Sequence, residues 1–524
     1  MARGALRVIA AGAVCLGLAA CSATAGSTAT APAGAAGSCG SPAACEQRAT
    51  ARLEAVRQEP AALAKLLHRF PKGADLHNHL AGAVYAESYL TWAREDGLRL
   101  DDSLKLIDAS ACGSTCAEVP AASDPQFDAI VRAWSMKDFQ GGAETGHDHF
   151  FAAFSKFRLV SHEATREGAM LAETIRRAAD DGALYLEVLV TVAGAAVTRI
   201  ADDAGPLDPR DLPAFERKLH ADRRWNAMIA SSRDHLANRE HQARAVLRCG
   251  MPDAAPGCDV AVRYLGQVDR TASPAEVFAE LLATFEVSAA EPRVVGVNLV
   301  SPEDNAVALR DYDLQMALIA AVEDEFRGRS AAHVTLHAGE LTAGLVTAED
   351  LAFHIRHAVE IAHAERIGHG VDVLLEHDAP GLLAEMRARG VAVEICLSSN
   401  ASILNVAGPA HPLSAYLSAG VPVALATDDA GVSRTSLTGE LVRAVVTQGL
   451  RYPQLKALAR NSLSAAFVPG PSLWASAGAP HLVAACAAGI ASPPSPACTG
   501  FLAGSARARL QWKLEQQLAA FEAE

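Results

Sequence analysis

Eight short apolar runs, each followed by a longer stretch with helical periodicity, constrain the fold of this chain more than any other feature. The runs cover residues 74–80, 184–191, 260–268, 294–300, 334–337, 366–373, 391–397 and 421–427. Strands that alternate with helices predict right-handed βαβ units and a parallel sheet. A count of eight predicts an α/β fold of the closed (β/α)8, TIM-barrel type rather than an open doubly wound sheet.

Two connections between these runs are too long for a compact barrel. About a hundred residues follow the first run and nearly seventy follow the second, and connections of that length normally contain structure of their own. We therefore expect helical insertions after strands 1 and 2, with a lid over the barrel mouth. The motif His147-Asp148-His149 is interpreted as the start of a lid helix and not as a ligand pair, because no strand pattern surrounds it.

Aromatic side chains in the first insertion allow two interpretations. At such spacing they usually form hydrophobic core, but they would also serve as apolar cover for a bound base or sugar. They are Trp134, Phe150, Phe151, Phe154 and Phe157.

Composition divides the chain into four segments. Residues 1–21 form a predicted signal peptide, and residues 22–45, almost all Ala, Gly, Ser, Thr and Pro, form a predicted flexible tether. Residues 46–468 hold the barrel, which a helical pattern up to about Phe70 precedes. Residues 469–524 are predicted to be a loop followed by a helix over Phe501 to Phe521.

Targeting features occupy the first segment. Arg3 and Arg7 precede an apolar run from Val8 to Leu18, and small residues lead up to Cys21. The run is shorter than the roughly 20 apolar residues that span a bilayer, so we expect it to be removed on export. The ending Leu-Ala-Ala-Cys resembles the bacterial lipobox, which implies a lipid anchor on Cys21. The alternative is an ordinary signal peptide and a secreted protein.

Cysteine spacing indicates an oxidising compartment. Outside the signal segment, eight of nine cysteines fall into close pairs without the CxxC spacing of a zinc ribbon, so local disulfides are favoured over metal sites. The ninth, Cys396, lies in an apolar strand pattern and is predicted to be a buried free thiol. The pairs are Cys39 with Cys45, Cys112 with Cys116, Cys249 with Cys258, and Cys486 with Cys498.

The net charge narrows the class of partner. A formal charge of -14 and a pI near 5.7 argue against nucleic acid and against an anionic membrane surface, since both would be repelled. A small neutral or cationic ligand is the expected partner.

Histidines and carboxylates stand at the ends of four predicted strands. His77 and His79 flank one residue of an extended run, so their side chains point to the same side. In barrel enzymes the carboxyl ends of the strands line one catalytic mouth, so we expect these groups to converge. The fifth, sixth and eighth runs end in His337-Ala338-Gly339-Glu340, Arg366-Ile367-Gly368-His369-Gly370 and Thr427-Asp428-Asp429.

Three neutral imidazoles and one carboxylate suit zinc and leave one position for water. We predict one Zn²⁺ held by His77, His79, His337 and Asp428. A second metal bridged by a carboxylated lysine is disfavoured, because the fourth run ends in Asn-Leu-Val-Ser-Pro without lysine.

Four motifs follow one another along the chain: His77-Asn78-His79, His337-Ala338-Gly339-Glu340, Ser399-Asn400 and Thr427-Asp428-Asp429. In this order they resemble the motifs of the adenosine deaminase family of the amidohydrolase superfamily. The resemblance extends from about Lys72 to Leu463 and is most specific in the second and fourth motifs. The export signal, the helical stretch before the first strand and the cysteine-bearing insertions resemble the secreted, growth-factor-type members.

The resemblance implies the same four zinc ligands and assigns catalysis to Glu340, His369 and Asp428. Glu340, un-ionised before attack, would give a proton to purine N1, and His369 would orient the attacking water. Asp428 would accept a proton or a hydrogen bond from that water.

Substrate contacts implied by the resemblance are Asp429 near purine N7, together with Gly339 and Ser301. This chain departs from the family at two positions that contact the substrate, only one of them, Ser301, being among these three. Compact members have Asp-Gly after the first motif, where the aspartate holds the ribose 5′-hydroxyl, whereas this chain has Ala81-Gly82. Ser301 stands where the family has a glycine that contacts purine N3. Ribose recognition must therefore differ.

These features predict zinc-dependent hydrolytic deamination of adenosine or 2′-deoxyadenosine to inosine or 2′-deoxyinosine plus ammonia. One alternative is a deaminase of adenine, a modified adenosine or another aminated ring. Another is a binding or signalling protein on the same scaffold. The partner is thus a purine nucleoside, with membrane contact only through Cys21.

Overall fold

Eight parallel strands form the predicted barrel. The computed structural model describes residues 41–112, 116–476, 479–490 and 493–524, so the signal segment and most of the tether lie outside the described residues. The strands pair in chain order, and a parallel bridge between Asn78 and Asp428 links the last strand to the first. They are β1 Gly73–His79, β2 Ala183–Val190, β3 Ala261–Asp269, β4 Val294–Val300, β5 His333–Ala338, β6 Arg366–His369, β7 Ala392–Ile395 and β8 Val423–Leu425.

The strand sequences are apolar because the barrel buries both of their faces. All eight residues of β2 are buried, as expected for a parallel sheet covered by helices. The sixth and eighth predicted runs extend beyond the strands observed, because the chain turns into the barrel mouth there. His369 has φ 66° and Asp428 has φ 56°, which ends the extended conformation.

Helices surround the barrel on its outer side, and two short helices follow β7 and β8 at the mouth, Leu397–Ile403 and Ala430–Ser433. The insertion after β2 is helical, as predicted, and consists of Gly194–Ala204, Leu212–Ala221 and Arg223–Val246. The other surrounding helices are Glu167–Asp180, Pro274–Ala290, Ala306–Phe326, His354–Glu360, Ala379–Arg389, Leu413–Ala419, Leu437–Gln448 and Tyr452–Ala465, with 3₁₀ turns at Asp350–Ala352, Val373–Leu375 and Gly408–Ala410.

The insertion after β1 is mostly helical and contains a small sheet that the sequence did not predict. Its helices are Leu80–Ala83, Ala86–Glu95, Pro125–Ala133 and Gly146–Ser161, and its sheet is built from Arg99–Leu100, Leu106–Ile107 and Ala117–Glu118, with a 3₁₀ turn at Ala109–Ala111. The His147-Asp148-His149 motif does start a helix, which Thr145 caps by accepting a hydrogen bond from the Asp148 N–H.

The aromatic residues of this insertion are mainly core. Trp134, Phe150 and Phe157 are at most 2% exposed, while Phe151 and Phe154 are partly buried against them. The same hydrophobic cluster continues into residues of β2 and β3, so the insertion is anchored on the barrel wall. Of the two interpretations, core packing applies to the three fully buried rings.

Both ends of the described chain differ in detail from the sequence prediction. Helix Pro42–Val56 begins before Glu46, and a second helix, Pro60–His68, starts anew at Pro60, which cannot continue the first. The predicted closing helix is also two helices, Pro496–Ala503 and Ala506–Ala523, and Ser505 caps the second. A hairpin of Trp474–Ser476 and Ala479–Leu482 precedes them, with a 3₁₀ turn at Ala484–Cys486.

The cysteines of the described residues pair as predicted. Disulfides join Cys112 to Cys116, Cys249 to Cys258, and Cys486 to Cys498. Cys45 is also disulfide-bonded, and its predicted partner Cys39 lies outside the described residues, as does Cys21. Cys396 is free and buried. Within the described residues, no helix is long and apolar enough to cross a bilayer.

Candidate active site

Four predicted metal ligands meet at the mouth of the barrel. The Nε2 atom of His77 lies 3.0 Å from Nε2 of His337 and 3.3 Å from Nε2 of His79, and the last two are 3.2 Å apart. Oδ1 of Asp428 lies 3.3 Å from Nε2 of His79 and 3.6 Å from Nε2 of His77. Strands β1, β5 and β8 thus bring one nitrogen or oxygen lone pair from each residue to a common point.

These spacings fit one metal ion. Donor atoms about 2.0–2.1 Å from a tetrahedral zinc lie about 3.3–3.4 Å from one another, close to the observed separations. The four ligand atoms all lie within 4.8 Å of each other, and three of the four residues are buried. Burial lowers the pKa of His79 to about 4 and that of His337 well below its usual value, so both rings are neutral ligands.

A carboxylate behind His77 fixes the orientation of its ring. Nδ1 of His77 donates to Oε2 of Glu394 at 2.7 Å, which leaves the Nε2 lone pair for the metal. Glu394 lies on β7 and also accepts from Thr335 and Arg366. Burial alone would raise the pKa of Glu394, but the charge of Arg366 and the hydrogen bond from His77 hold it at about 2. Glu394 is therefore ionised and keeps His77 in one tautomer.

Two of the other three ligands, His337 and Asp428, are held in the same manner by neutral groups. Oδ1 of Asn298, on β4, accepts from both the backbone N–H and Nδ1 of His337 at 2.8 and 2.9 Å. Ser399 donates its hydroxyl to Oδ2 of Asp428 at 2.6 Å. Gly368 leaves room for the metal site, because a Cβ atom there would lie 2.8 Å from the His77 ring.

Glu340 is placed as a free acid next to the ligands. Its backbone N–H donates to Glu303 at 2.9 Å, and the preceding N–H of Gly339 donates to the same carboxylate at 3.0 Å. Glu303 is itself bonded to His354 at 2.6 Å. Oε1 of Glu340 is buried and has no hydrogen-bond partner among the described residues. Burial, together with the charge of Asp428, raises the pKa of Glu340 well above its usual value.

The ring of His369 lies beside the Glu340 carboxyl group. Its Nδ1 is 3.0 Å from Nδ2 of Asn400 and 3.5 Å from Oε1 of Glu340. Its Nε2 is buried without a hydrogen-bond partner among the described residues. The φ of 66° is unusual for a residue with a side chain and turns the ring back into the barrel mouth.

Asp429 packs against the loop that follows the first motif. A Cβ atom at Gly82 would lie 1.5 Å from Oδ1 of Asp429, so only glycine fits there. That oxygen is buried and has no hydrogen-bond partner within the described part of the chain, and burial next to Asp428 raises the pKa of Asp429 well above its usual value. Ala81 contributes no polar side chain, and its carbonyl accepts from Tyr89 at 2.7 Å.

Two predicted substrate contacts stay predictions. Ser301 has φ 77°, a conformation that favours glycine, and lies directly after β4 at the mouth. Gly339 also has a positive φ of 74°, but its backbone N–H already donates to Glu303. A ligand in contact with Gly339 must therefore meet its Cα hydrogens rather than its N–H.

A segment of the first insertion, residues 125–161, crosses the mouth of the barrel. The Met136 N–H donates to the carbonyl of Val432, after β8, at 2.8 Å. Gly146 lies against the carbonyl of Ser402, after β7. On the other side, His147 lies 3.1 Å from Asp304, after β4. In an eight-stranded barrel β4 and β8 are opposite, so the segment spans the opening.

Sequence reasoning did not assign roles to the residues that hold the site. Glu394 and Glu187 each interrupt an apolar run, and a carboxylate in a strand buried on both faces must be paired. That signal could have identified both, since Arg366 pairs with both of them. Glu303 and Asp304 follow β4 in a loop and carried no comparable signal.

Comparison with known proteins points to one family. The sequence model described as adenosine deaminase matches residues 227–473, which include every strand-end motif except the first. An adenine deaminase of Sinorhizobium medicae is 32% identical over 194 residues, 36% of this chain and 53% of that protein. An adenosine deaminase of Escherichia coli is 35% identical over 144 residues, 27% of this chain and 40% of that protein. The chain thus aligns with about half or less of these relatives.

Solved structures match over more of the chain. A zinc-bound amidohydrolase from Burkholderia ambifaria superimposes with a TM-score of 0.52 and 16% identity, covering 88% of this chain and 95% of the other. This likeness concerns the fold alone. The matching family model and the two sequence relatives show an adenosine deaminase domain in residues 227–473, and the geometry of the site agrees with it.

Proposed function

We propose that this protein is a zinc-dependent deaminase that hydrolyses adenosine or 2′-deoxyadenosine to inosine or 2′-deoxyinosine and ammonia. One observation carries the proposal. Three imidazole nitrogens and the Asp428 carboxylate converge at one point, and the neighbouring Glu340, His369 and Asp429 each have a buried polar atom with no partner among the residues that the structure describes. Unpartnered polar atoms are costly in a protein interior, so groups left in this state are expected to meet a ligand.

The metal supports the chemistry that an amino-substituted ring requires. A zinc ion held by His77, His79, His337 and Asp428 would activate water, whose pKa falls from 15.7 to about 7 in such sites. Asp428 has a second oxygen, held by Ser399, and can take a hydrogen bond from the attacking water.

The two raised-pKa carboxyl groups match the hydrogen-bond pattern of adenine. A protonated Glu340 donates to N1, which makes C6 more electrophilic, and a protonated Asp429 donates to N7. Both nitrogens are acceptors in adenine, whereas N1 of guanine carries a hydrogen. Cytosine lacks an N7. The site therefore favours a 6-aminopurine over the other aminated bases.

A second candidate substrate is free adenine. Ala81 provides no side-chain acceptor for a ribose hydroxyl, and adenine deaminases are among the relatives of this chain. A modified adenosine fits the same reasoning. Adenosine and adenine differ in the group on N9, which leaves the chemistry at C6 unchanged.

An ammonia-release panel on zinc-loaded protein tests the proposal. The substrates are adenosine, 2′-deoxyadenosine, adenine, guanosine and cytidine. We expect turnover of a 6-aminopurine that a chelator abolishes and added zinc restores. Turnover of adenine alone would select the second candidate. No ammonia from any 6-aminopurine, with zinc occupancy confirmed, would reject the proposal and favour a binding or signalling role.

Export completes the proposal. The predicted signal segment and Cys21 lie outside the described residues, but the disulfides among the described cysteines are typical of an oxidising compartment. We propose an exported protein that Cys21 anchors through a lipid. Labelling of cells with a lipid precursor should mark the wild type and not Cys21→Ala, and unlabelled wild-type protein would indicate plain secretion.

A further inference from the structure

We propose that His411, acting through Asn400, fixes His369 in the tautomer whose Nε2–H faces the reacting atoms. Both are positioning residues, and their effect on catalysis rests on the proposed function. The observation behind the proposal is a chain of three hydrogen bonds, each of 3.0 or 3.1 Å, between buried groups.

The hydrogen-bond chain ends, away from His369, at a backbone N–H, and this group sets the direction of donation along it. The N–H of Leu413 lies 3.1 Å from Nδ1 of His411, and a backbone N–H can only donate. Nδ1 of His411 is therefore an acceptor. Burial lowers the pKa of His411 to about 4, so the ring is neutral at physiological pH and carries its hydrogen on Nε2.

The direction of donation is continued by the side chain of Asn400. The Nε2–H of His411 points at an Asn400 side-chain atom 3.1 Å away, which must be the oxygen because it has to accept. The amide nitrogen then faces Nδ1 of His369 at 3.0 Å and donates to it. The amide orientation is thus determined by Leu413 rather than by a choice between two equivalent flips.

His369 is the end of the chain. Since its Nδ1 accepts, its hydrogen is on Nε2, the atom that has no partner among the described residues. Nε2–H can donate to an oxygen nucleophile but cannot remove a proton from it. This assigns His369 to orienting and stabilising the nucleophile, and excludes it as a neutral general base.

The chain also keeps Glu340 free. Nδ1 of His369 is only 3.5 Å from Oε1 of Glu340, so the opposite tautomer would point its N–H at that oxygen. It would also place an N–H opposite the amide hydrogens of Asn400. By disfavouring this arrangement, Asn400 leaves the Glu340 carboxyl available for purine N1.

Variants of His411 separate this role from packing. Gln has an oxygen for Leu413 and an NH₂ group for Asn400, so His411→Gln preserves the direction of the chain. His411→Leu, of similar size, removes it. We expect kcat to fall on the order of 10- to 100-fold in His411→Leu and to stay near the wild-type value in His411→Gln. Equal losses in both variants would indicate packing only and overturn the proposal.

Asn400→Asp reverses only the hydrogen bond to His369, with almost no change of shape. A carboxylate can only accept, so Nδ1 of His369 becomes the donor. We expect kcat to fall about 10²- to 10⁴-fold while the zinc content is unchanged. Wild-type activity in Asn400→Asp would overturn the proposal.

The decisive measurement is the tautomer itself. Ring ¹⁵N shifts of zinc-loaded, histidine-labelled protein, assigned with His369→Gln, should show Nδ1 of His369 as unprotonated in the wild type. A protonated Nδ1 would reject the proposal whatever the activities of the His411 and Asn400 variants. The shift does not depend on substrate. A protein with the expected tautomer and no deaminase activity would therefore reject the proposed function but not the inferred hydrogen-bond chain.

Discussion

Two parts of the site are held by different kinds of interaction: the floor, which is the cluster of predicted metal ligands His77, His79, His337 and Asp428, and the mouth, where residues 125–161 cross the opening above that cluster. At the floor, each of His77, His337 and Asp428 has a second, buried hydrogen bond of 2.6 to 2.9 Å that fixes its orientation. At the mouth, the crossing segment is tied to the β4 side by one ion pair, His147 with Asp304, whose side chains are 16% and 19% exposed. Buried hydrogen bonds therefore fix the ligands of the floor, whereas the crossing segment depends on a partly exposed ion pair on its β4 side. We expect the mouth to be the part that opens.

The largest expected effect comes from removing a ligand at the floor. His337→Ala should lose zinc and lower kcat by at least about four orders of magnitude, because water without the metal has a pKa of 15.7 rather than about 7. Metal analysis and ammonia release measure both quantities. His333→Ala is the control, since His333 lies at the opposite end of β5 and pairs with the exposed Glu365. Zinc retained in His337→Ala would contradict the ligand assignment.

Removing the acidic proton of Glu340 while the metal stays bound should give the next largest effect. Glu340→Gln keeps the shape of the side chain but removes its acidic proton, so kcat should fall about 10²- to 10⁴-fold with full zinc content. Steady-state kinetics with the zinc-loaded variant measures the loss. Glu349→Gln, on an exposed residue of the following loop, serves as control. Near-normal turnover of Glu340→Gln would remove Glu340 from this role.

The hydrogen bonds behind the ligands should matter less than the ligands and more than the mouth. Asn298→Leu removes the acceptor of the His337 Nδ1–H, and zinc affinity should fall about 10- to 100-fold. Asn298→Asp is the matched control, because its carboxylate still accepts that hydrogen. Competition with a chelator measures the two affinities. If Leu and Asp weaken zinc binding equally, Asn298 only fills space and the floor is less organised than inferred.

Much of the floor was predictable from the sequence, whereas the contacts that hold the crossing segment at the mouth were not. Strands buried on both faces leave long apolar runs, and ligands at their ends follow directly, so His77 and Asp428 could be placed together although 351 positions apart. The strand Arg99–Leu100 has two residues, too few for any periodicity. His147 and Asp304 meet through loop conformations, which leave no pattern in the chain.

The smallest expected effect concerns the ion pair at the mouth. The hydrogen bond and charge of Asp304, with a further contribution from Asp148, outweigh partial burial and raise the pKa of His147. The pair is complete below that raised pKa, and its contribution is lost as the pH rises through it. The crossing segment should therefore open more readily at higher pH.

Hydrogen exchange of the amides of residues 146–151, expressed as protection factors, measures this opening. Wild-type protection should fall with rising pH by at most about fivefold, as expected for a partly exposed ion pair. In Asp304→Asn this pH dependence should disappear and protection at low pH should be reduced. Asp148→Asn removes a more exposed carboxylate 3.5 Å from His147, so it should change the pH dependence of protection less than Asp304→Asn does. A pH-independent wild type would mean that backbone contacts alone hold the mouth, and that it is as fixed as the floor.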